Sequence, residues 1–247
     1  DYDIELIQFT LSSSSSFTKL ANYLNNYRID GIICIEFFEP DILPTLTDLG
    51  YPVVFLDFPL LSQDLRGNYD IILPESADAV KYLCMDLIRN KGCKTFGFVG
   101  DYRHCRSFYE RFLGMREAMF LCGLEADLRY SILNKDTFPY GNAKELRDAL
   151  QQLPALPDCF IAANDTIALS LLEALRLMRK KVPDDVRVTG FDNVAETKTS
   201  NPPLTTFNVD KIAMGKRLIT ILLERINDTM QRSRLIYICS KTGVPAS

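Results

Sequence analysis

The chain reads Val182-Pro-Asp-Asp-Val-Arg-Val-Thr-Gly-Phe-Asp192-Asn193 and continues, a little later, with Asn201-Pro-Pro-Leu-Thr-Thr206. Pro183 and the two aspartates after it predict a turn, because proline presets φ and aspartate tolerates turn geometry. The β-branched residues over 186–189 predict a short strand. Asp192 then lies at the carboxyl end of that strand, where open parallel sheets bind their ligands. The alternative is that Asp192 only shapes the turn or caps the next segment.

Strand and helix patterns alternate along the rest of the chain, with short turns between them. Apolar and alternating runs predict strands at 4–10, 32–35, 53–56, 68–73, 95–99, 129–133, 159–163 and 235–239. Helical spacing of apolar residues predicts helices at 17–27, 41–49, 75–89, 108–121, 143–153, 167–178 and 209–226. This alternation predicts an α/β fold with parallel, doubly wound sheets. Two such series follow each other with a boundary near Gly100, and ligand sites favour the cleft between two lobes.

The composition is that of a globular protein and argues against several other classes. Hydrophobic residues make up 47% of the 247 residues, which suffices to bury a full core. The 28 basic residues are outnumbered by 32 acidic ones and form no basic block, so the chain itself is a poor candidate for binding DNA or RNA. No apolar run reaches the roughly 18 residues of a membrane span, and no signal peptide is visible.

The cysteines predict reduced core residues rather than a disulfide framework. There are seven, an odd number, and they are scattered through apolar stretches. None forms a C-x-x-C pair or lies at zinc-ligand spacing from the only histidine, His104. This usage is typical of a reducing cytoplasm. We therefore expect neither a bound metal nor a cofactor.

Four short polar residues directly follow predicted strands: Asp57, Asn164, Asp165 and Asp192. A hydroxyl-rich ligand needs such acceptors on rigid strand ends, because a lost buried hydrogen bond costs roughly 1–3 kcal/mol. The alternative for Asn164 and Asp165 is that they cap the helix that follows. The alternative for Asp57 is that it only shapes the turn before Pro59.

Arg111 and Phe138 are further candidates for ligand contacts. Arg111 lies early on a predicted helix, where its planar guanidinium could clamp a carboxylate or neighbouring hydroxyls; the alternative is a solvated surface arginine. Phe138 lies in a loop beside Pro139 and could stack on a ring, although an aromatic residue at such a position is more often part of the packing.

Catalytic arrangements are scarce in this sequence. His104 is the only histidine, so any serine or cysteine triad would have to include it. There is no G-x-S-x-G elbow and no phosphate-binding loop of the G-x-x-x-x-G-K type. An enzyme would have to rely on carboxylates alone, so the sequence predicts a protein that is not an enzyme.

The residues quoted at the outset, ending in Pro203-Leu-Thr-Thr206, resemble the signature of the LacI/GalR family of bacterial transcription regulators. The resemblance spans nearly the whole chain in the family's order, through Ile29-Asp-Gly-Ile-Ile33, Val53-Val-Phe-Leu-Asp57, Glu110-Arg-Phe-Leu-Gly114 and Ile161-Ala-Ala-Asn-Asp-Thr-Ile-Ala-Leu169. It implies two Rossmann-like lobes with parallel sheets of the periplasmic binding protein-like type I, joined by three crossovers. The first lobe would comprise 1–100 and 208–236, the second 101–207 and 237–247.

The same resemblance implies which residues contact the effector. Arg111 and Asp192 match the family's most general contacts, and Asn164, with Asp165 beside it, matches a polar contact. Phe138 matches an aromatic residue that stacks on the ligand, and Asp57 and Phe58 match the contribution of the first lobe. Ser107 matches a weaker polar contact. The long helix at 209–226 would belong to the first lobe.

The sequence departs from the family pattern in three respects. Nothing in it resembles the family's N-terminal helix-turn-helix or hinge helix. Residues 1–6 match the second strand of the family's effector domain, so we expect the first strand and its helix to be absent from this sequence. Pro74-Glu75 also replaces the aspartate that usually follows the preceding strand, and we assign no function to that change.

Together these features predict the effector-binding and dimerisation module of a cytoplasmic LacI-type regulator. The effector would be a small molecule, with a sugar as the expected class, and the partner a second copy of the chain. Operator DNA would be bound only through a helix-turn-helix that this sequence does not contain, and no membrane is involved. One alternative is a periplasmic sugar-binding protein of a transport system, which the seven cysteines disfavour. Another is an enzyme on a doubly wound sheet.

Overall fold

The chain forms two separate parallel sheets. The computed structural model describes residues 5–8, 20, 22, 24, 26, 28–38, 43–60, 69–228 and 230–239. The strands are β1 (Ile32–Ile35), β2 (Val53–Leu56), β3 (Tyr69–Glu75), β4 (Phe96–Val99), β5 (Cys159–Ala162), β6 (Arg187–Thr189) and β7 (Leu235–Cys239). The first sheet has the order β1-β2-β3-β7 and the second the order β4-β5-β6. This arrangement confirms the predicted α/β fold with two parallel sheets.

Six helices are described around these sheets. They are α1 (Leu43–Thr47), α2 (Ala77–Lys91), α3 (Arg106–Leu121), α4 (Ala143–Leu150), α5 (Asp165–Leu177) and α6 (Lys211–Asn227). Short 3-10 helices occur at Leu128–Tyr130 and Ala195–Thr199. None of the described helices has the length and apolar character that crossing a bilayer requires.

The first lobe, which consists of the first sheet with α1 and α6, has a core on each face of the sheet. On one face the ring of Phe55 lies edge-on to Phe58 and Tyr69, with centroid distances of 5.1 and 5.4 Å. On the other face Leu218 and Ile221 of α6 pack against β2 and β3. Both strands are therefore apolar on both faces, as their sequences predict.

The second lobe consists of the second sheet with helices α2 to α5, and it holds the largest core. Val80 and Cys84 of α2 are buried in it together with Phe112 of α3. A Cβ on Gly114 would collide with the carbonyl of Ala77. Because Gly114 has no side chain, α3 lies directly against the first turn of α2.

The sheets divide the chain differently from the predicted boundary near Gly100. β4 pairs with β5 in the second sheet, and α2 packs on α3. The chain therefore leaves the first lobe at the end of β3. At the other end β7 remains in the first sheet along all of its length, with Tyr237 opposite Leu73. Periodicity predicts that a strand exists, but the pairing partner of β4 depends on long-range contacts that periodicity does not contain.

Two other expectations differ from the structure or fall outside it. The strand predicted at 129–133 is replaced by the 3-10 helix Leu128–Tyr130 and a single bridge between Val99 and Ile132. The reason is local, since the carboxylate of Asp127 accepts a hydrogen bond from the Arg129 N–H at 3.0 Å and starts a helical turn. Of the strand predicted at 4–10, residues 5–8 are not in regular structure. Most of 1–6 and of the helix at 17–27 lies outside the described residues.

A buried ion pair stabilises the first sheet at the amino-terminal end of its strands. Asp70 of β3 and Arg225 of α6 are both fully buried, with the Arg225 Nε 2.7 Å from one carboxylate oxygen. The backbone N–H and the guanidinium of Arg234 also donate to Asp70. Burial opposes ionisation, but the hydrogen bonds from Arg225 and Arg234 outweigh it and hold the pKa of Asp70 below its ordinary value. This network joins α6, β7 and β3.

We expect Asp70→Ala to lower the free energy of unfolding by about 3–5 kcal/mol, because it leaves the Arg225 charge buried without its carboxylate. Urea denaturation measures this, with Glu173→Ala as control, since Glu173 pairs with Arg176 on an exposed helix surface. The stabilisation from Asp70 should be complete above the unfolded pKa of about 3.9 and be lost as the pH falls through the folded pKa. Equal denaturation midpoints for the two variants at pH 7 would contradict this role.

Candidate functional site

The buried guanidinium of Arg111 lies where the ends of β5 and β6 meet α3. Arg111 is 3% exposed. Its Nη1 donates to the carbonyl oxygen of Ala163 at 2.5 Å, and its Nη2 lies 3.4 Å from Oδ1 of Asp192. The Cζ atom is 3.8 Å from the ring centroid of Phe191, a distance at which a cation is attracted to the aromatic face. Arg111 and Asp192, the two strongest candidates for effector contacts, are therefore in contact with each other.

One of the three side-chain nitrogens of Arg111 makes no hydrogen bond to any residue that the structure describes. Its Nε–H is buried and has no hydrogen-bond partner among the described residues. A buried donor without an acceptor costs roughly 1–3 kcal/mol. A hydrogen-bond acceptor that reached this nitrogen would satisfy it, so the arrangement is suited to a ligand that accepts from Arg111.

Asp192 presents its carboxylate at the open side of this arrangement. Its backbone has a φ of 108°, and its N–H donates to the carbonyl of Phe207 at 3.0 Å, which fixes the direction of the side chain. The side chain remains 30% exposed. Burial raises the pKa of Asp192, Arg111 and Lys211 counteract this, and the charges of Asp165 and Glu36 raise it further. Glu36 and Lys211 belong to the first lobe.

Asn164 and Asp165 have different roles from each other. The side-chain oxygen of Asn164 caps α5 by accepting from the N–H of Ile167 at 3.0 Å, and its half-buried amide N–H2 is the group that it could offer to a ligand. Asp165 is fully buried. One of its oxygens accepts from the hydroxyl of Thr206 at 2.6 Å and the other from the N–H of Val194 at 3.0 Å.

The contacts of Asp165 therefore favour a structural role over the expected effector contact. Both carboxylate oxygens serve the loops on either side of Asp192, and burial raises the pKa of the group. The carboxylate also lies where a Cβ on Gly190 would be. Gly190 is therefore required for Asp165 to support the strand end that carries Asp192.

Asp57, Ser107 and Phe58 form a bridge between the lobes rather than an open wall. The N–H of Ser107 donates to Oδ1 of Asp57 at 3.3 Å, and its hydroxyl donates to the other oxygen. Asp57 has a φ of 63° and also accepts from the Phe58 N–H at 2.7 Å. Cys105, the residue preceding α3, makes no side-chain cap, so Asp57 of the first lobe caps this helix. The Phe58 ring is buried against Tyr69, with the ring centroids 5.6 Å apart.

The bridge is extended by two further contacts at the first turns of α3. The Arg106 N–H donates to the carbonyl of Phe58 at 2.8 Å. The Tyr237 hydroxyl of β7 donates to Oε1 of Glu110 at 2.6 Å, which also accepts from Nε of Arg106 at 2.8 Å. α3 therefore carries Arg111 and most of the described contacts with the first lobe.

Phe138 lies beside a different depression from Arg111. Its ring is 4.9 Å from that of Tyr140. It lines a groove of about 500 Å³ along α4, together with Ile132, Ala149 and Leu153. The contacts of Phe138 thus favour the packing alternative stated for it above.

Rings from both lobes meet near the first turns of α3. The ring of Phe38, which follows β1, is 4.5 Å from His104 in the loop after β4. His104 is 5.6 Å from Phe108, whose ring is in turn 5.6 Å from the Arg111 Cζ. Glu36 and Phe38 were not among the residues singled out from the sequence, although they lie in the segment that follows β1. Among the described residues, no cluster of three or more histidine, cysteine, aspartate or glutamate residues could hold a metal ion.

Comparison with known proteins gives relatives along most of the chain. Residues 85–242 match the family described as periplasmic binding protein-like domain. The chain is 28% identical to the HTH-type transcriptional regulator CelR of Thermobifida fusca, over 93% of this chain and 67% of the relative. It is 29% identical to the HTH-type transcriptional regulator GalR of Lacticaseibacillus casei, over 89% and 66%. The chain thus spans about two thirds of the length of these relatives.

Solved structures show the same fold. A complex of the transcriptional regulator CelR with cellobiose superposes with a TM-score of 0.82 at 24% identity, covering 94% of this chain and 70% of the other. A LacI-type transcription regulator from Bifidobacterium animalis subsp. lactis gives a TM-score of 0.73 at 24% identity, covering 94% and 84%.

We expect Gly190→Ala to lower the free energy of unfolding by about 1–3 kcal/mol, the usual cost of overpacking. The added methyl group would collide with the Asp165 carboxylate and crowd Leu204 and Ala168. Gly141→Ala is the matched control, because a Cβ there meets nothing within 4 Å. Urea denaturation of both variants measures the difference, and a Gly190→Ala midpoint equal to that of the control would show that Asp165 does not constrain this strand end.

Proposed function

The chain belongs to the periplasmic binding protein-like domain family, and we propose that it is the effector-binding and dimerisation module of a LacI-type transcriptional regulator. The observation that carries this proposal is the buried Arg111, which has a free Nε–H and lies against the partly exposed carboxylate of Asp192. A guanidinium and a carboxylate side by side offer one donor and one acceptor at fixed positions. Vicinal hydroxyls of a sugar ring match that pair, because each hydroxyl both donates and accepts.

The names of the relatives agree with a small-molecule effector of the sugar class. CelR has been solved in complex with cellobiose, and GalR and CelR are both named as transcriptional regulators. These names favour a regulator over the alternative of a sugar-binding protein for transport. We therefore propose that the chain binds its effector without converting it chemically.

The effector acts in this proposal by changing the balance between two lobe arrangements. Arg111 and Asp192 belong to the second lobe, whereas Glu36 and Lys211 approach from the first. A ligand that contacts both sides binds one lobe arrangement more tightly, and it shifts the population only by that difference in affinity. Operator DNA would be bound by a helix-turn-helix, as the relatives' names specify for those proteins, in a cytoplasmic homodimer.

We expect Arg111→Ala to weaken the binding of a neutral sugar by at least about 100-fold, because it removes a charged donor whose hydrogen bonds contribute roughly 1.5–3 kcal/mol each. Asp192→Asn should weaken binding by about tenfold or more, since an amide replaces one acceptor by a donor. A thermal-shift panel of cellobiose, lactose, maltose, galactose and ribose identifies the sugars that stabilise the wild-type chain. Titration calorimetry on those sugars then measures affinity.

Arg116→Ala is the matched control, because Arg116 lies on the exposed side of the same helix. It should bind the sugar as the wild-type chain does. If Arg111→Ala and Asp192→Asn both keep wild-type affinity while remaining folded, the effector is bound elsewhere and the proposal is wrong.

A further inference from the structure

Asp57 and Phe58 were expected to contact the effector from the first lobe, but both already contact other residues of the protein. Both oxygens of Asp57 accept hydrogen bonds within the bridge to Ser107, and Asp57 is 8% exposed. Phe58 is 4% exposed and packs in the core of the first lobe. A ligand at Arg111 and Asp192 must therefore meet other first-lobe residues if it is to bridge the lobes.

The segment after β1 reaches the second lobe at the mouth of this cleft. Phe38 is half-buried, and its ring meets His104 edge-on at 4.5 Å. His104 leads on through Phe108 to the guanidinium of Arg111. Aromatic faces in such a row are the surfaces that the C–H faces of a sugar ring cover, since those faces are apolar.

Glu36 is held at the same edge with its carboxylate exposed. Its N–H donates to the carbonyl of Leu56 at 3.2 Å, and its φ is 52°. Five described residues other than glycine have a positive φ. Glu36 and Asp57 directly follow β1 and β2, and Asp192 and Asn193 lie in the segment after β6. Such backbone conformations persist where the surrounding structure enforces them, often at binding sites. Glu36 is the one that extends this set of strand ends to the first lobe's open edge.

The charged groups of the site differ in how deeply they are buried. At depth, the Arg111 charge is already engaged by Ala163 and Asp192. Ile35 pairs with Leu56, so the exposed Glu36 lies next to Asp57 at the strand ends. Burial is the main cause that raises the pKa of Asp192; the charges of Asp165 and Glu36 add to it, while Lys211 acts in the opposite sense. An additional negative charge on a ligand would meet the Glu36 carboxylate, whereas a hydroxyl or ammonium group would donate to it.

We propose that Glu36 and Phe38 form the first-lobe wall of the effector site, and that Glu36 makes the site select uncharged or amine-bearing sugars over phosphorylated ones. The inference rests on the proposed function, because it names the ligand class and specificity residues of the same cleft. Phe38 supplies an apolar face beside His104 and Phe108. Glu36 accepts from a ligand hydroxyl that Asp192 does not reach, so that one ligand joins carboxylates from both lobes.

The test compares glucose, glucosamine and glucose 6-phosphate, which share one ring and differ in one group, together with cellobiose. Titration calorimetry measures each with the wild-type chain, Glu36→Gln and Phe38→Ala. The matched controls are Glu125→Gln and Phe120→Ala, both exposed residues of the second lobe outside this cleft. Unfolding midpoints of all variants confirm that each is folded.

We expect the wild-type chain to bind the neutral or amine-bearing sugars at least about tenfold more tightly than glucose 6-phosphate, the effect of one unfavourable charge contact. Glu36→Gln should weaken neutral-sugar binding by about tenfold and narrow the discrimination against the phosphate, a change that loss of packing alone would not produce. Phe38→Ala should weaken all four ligands alike, and the controls should match the wild-type chain.

Two results would overturn the inference and are distinguishable from each other. If Arg111→Ala abolishes binding but Glu36→Gln and Phe38→Ala retain wild-type affinities and selectivity, the first-lobe wall is formed elsewhere and the proposed function survives. If the wild-type chain binds none of the four probes and none of the neutral sugars of the thermal-shift panel, the sugar-binding function fails and this inference fails with it.

Discussion

The candidate site depends on the burial of one guanidinium. Removing the charge of Arg111 from water is costly, and the cost is offset only if several groups are positioned around it. The carbonyl of Ala163 after β5, the ring of Phe191 and the carboxylate of Asp192 after β6 do this together. The last two residues are held in turn by the backbone pairing of 190–192 with 205–207, which Asp165 reinforces through Thr206. Residues 190–192 of the motif at 182–193 therefore support Arg111, which lies far from them in sequence.

The same helix that carries Arg111 also connects the lobes. Asp57 caps its first turn from the first lobe, and Tyr237 of β7 reaches Glu110, the residue directly before Arg111. A change in the relative position of the lobes would have to alter these contacts within a turn of the binding arginine. Packed interfaces of this kind tend to have discrete arrangements rather than continuous ones. In the proposed function, this proximity is the physical route by which ligand binding would be coupled to the lobe arrangement.

The sequence predicted the secondary-structure elements better than the contacts among them. Strand and helix periodicity placed nearly all described elements, and Arg111 and Asp192 were expected to act together, as their contact allows. Periodicity could not assign β4 to a sheet, because pairing is decided by contacts distant in sequence. The sequence also does not show whether Asp57 and Asp165 are exposed or engaged inside the protein. A polar residue at a strand end binds a ligand or a neighbouring loop with the same atoms. Glu36 and Phe38 belong to no motif, and apart from their place after a strand only the contact of this segment with the second lobe marks them.

The most direct test is a crystal structure of the chain with a sugar that raises its unfolding temperature. The account predicts the sugar between the lobes, with one hydroxyl oxygen within about 3 Å of a guanidinium nitrogen of Arg111, an ordinary hydrogen-bond distance. A second hydroxyl should donate to Asp192. A sugar bound in the groove along α4 beside Phe138, with Arg111 and Asp192 unchanged and free of ligand, would contradict it.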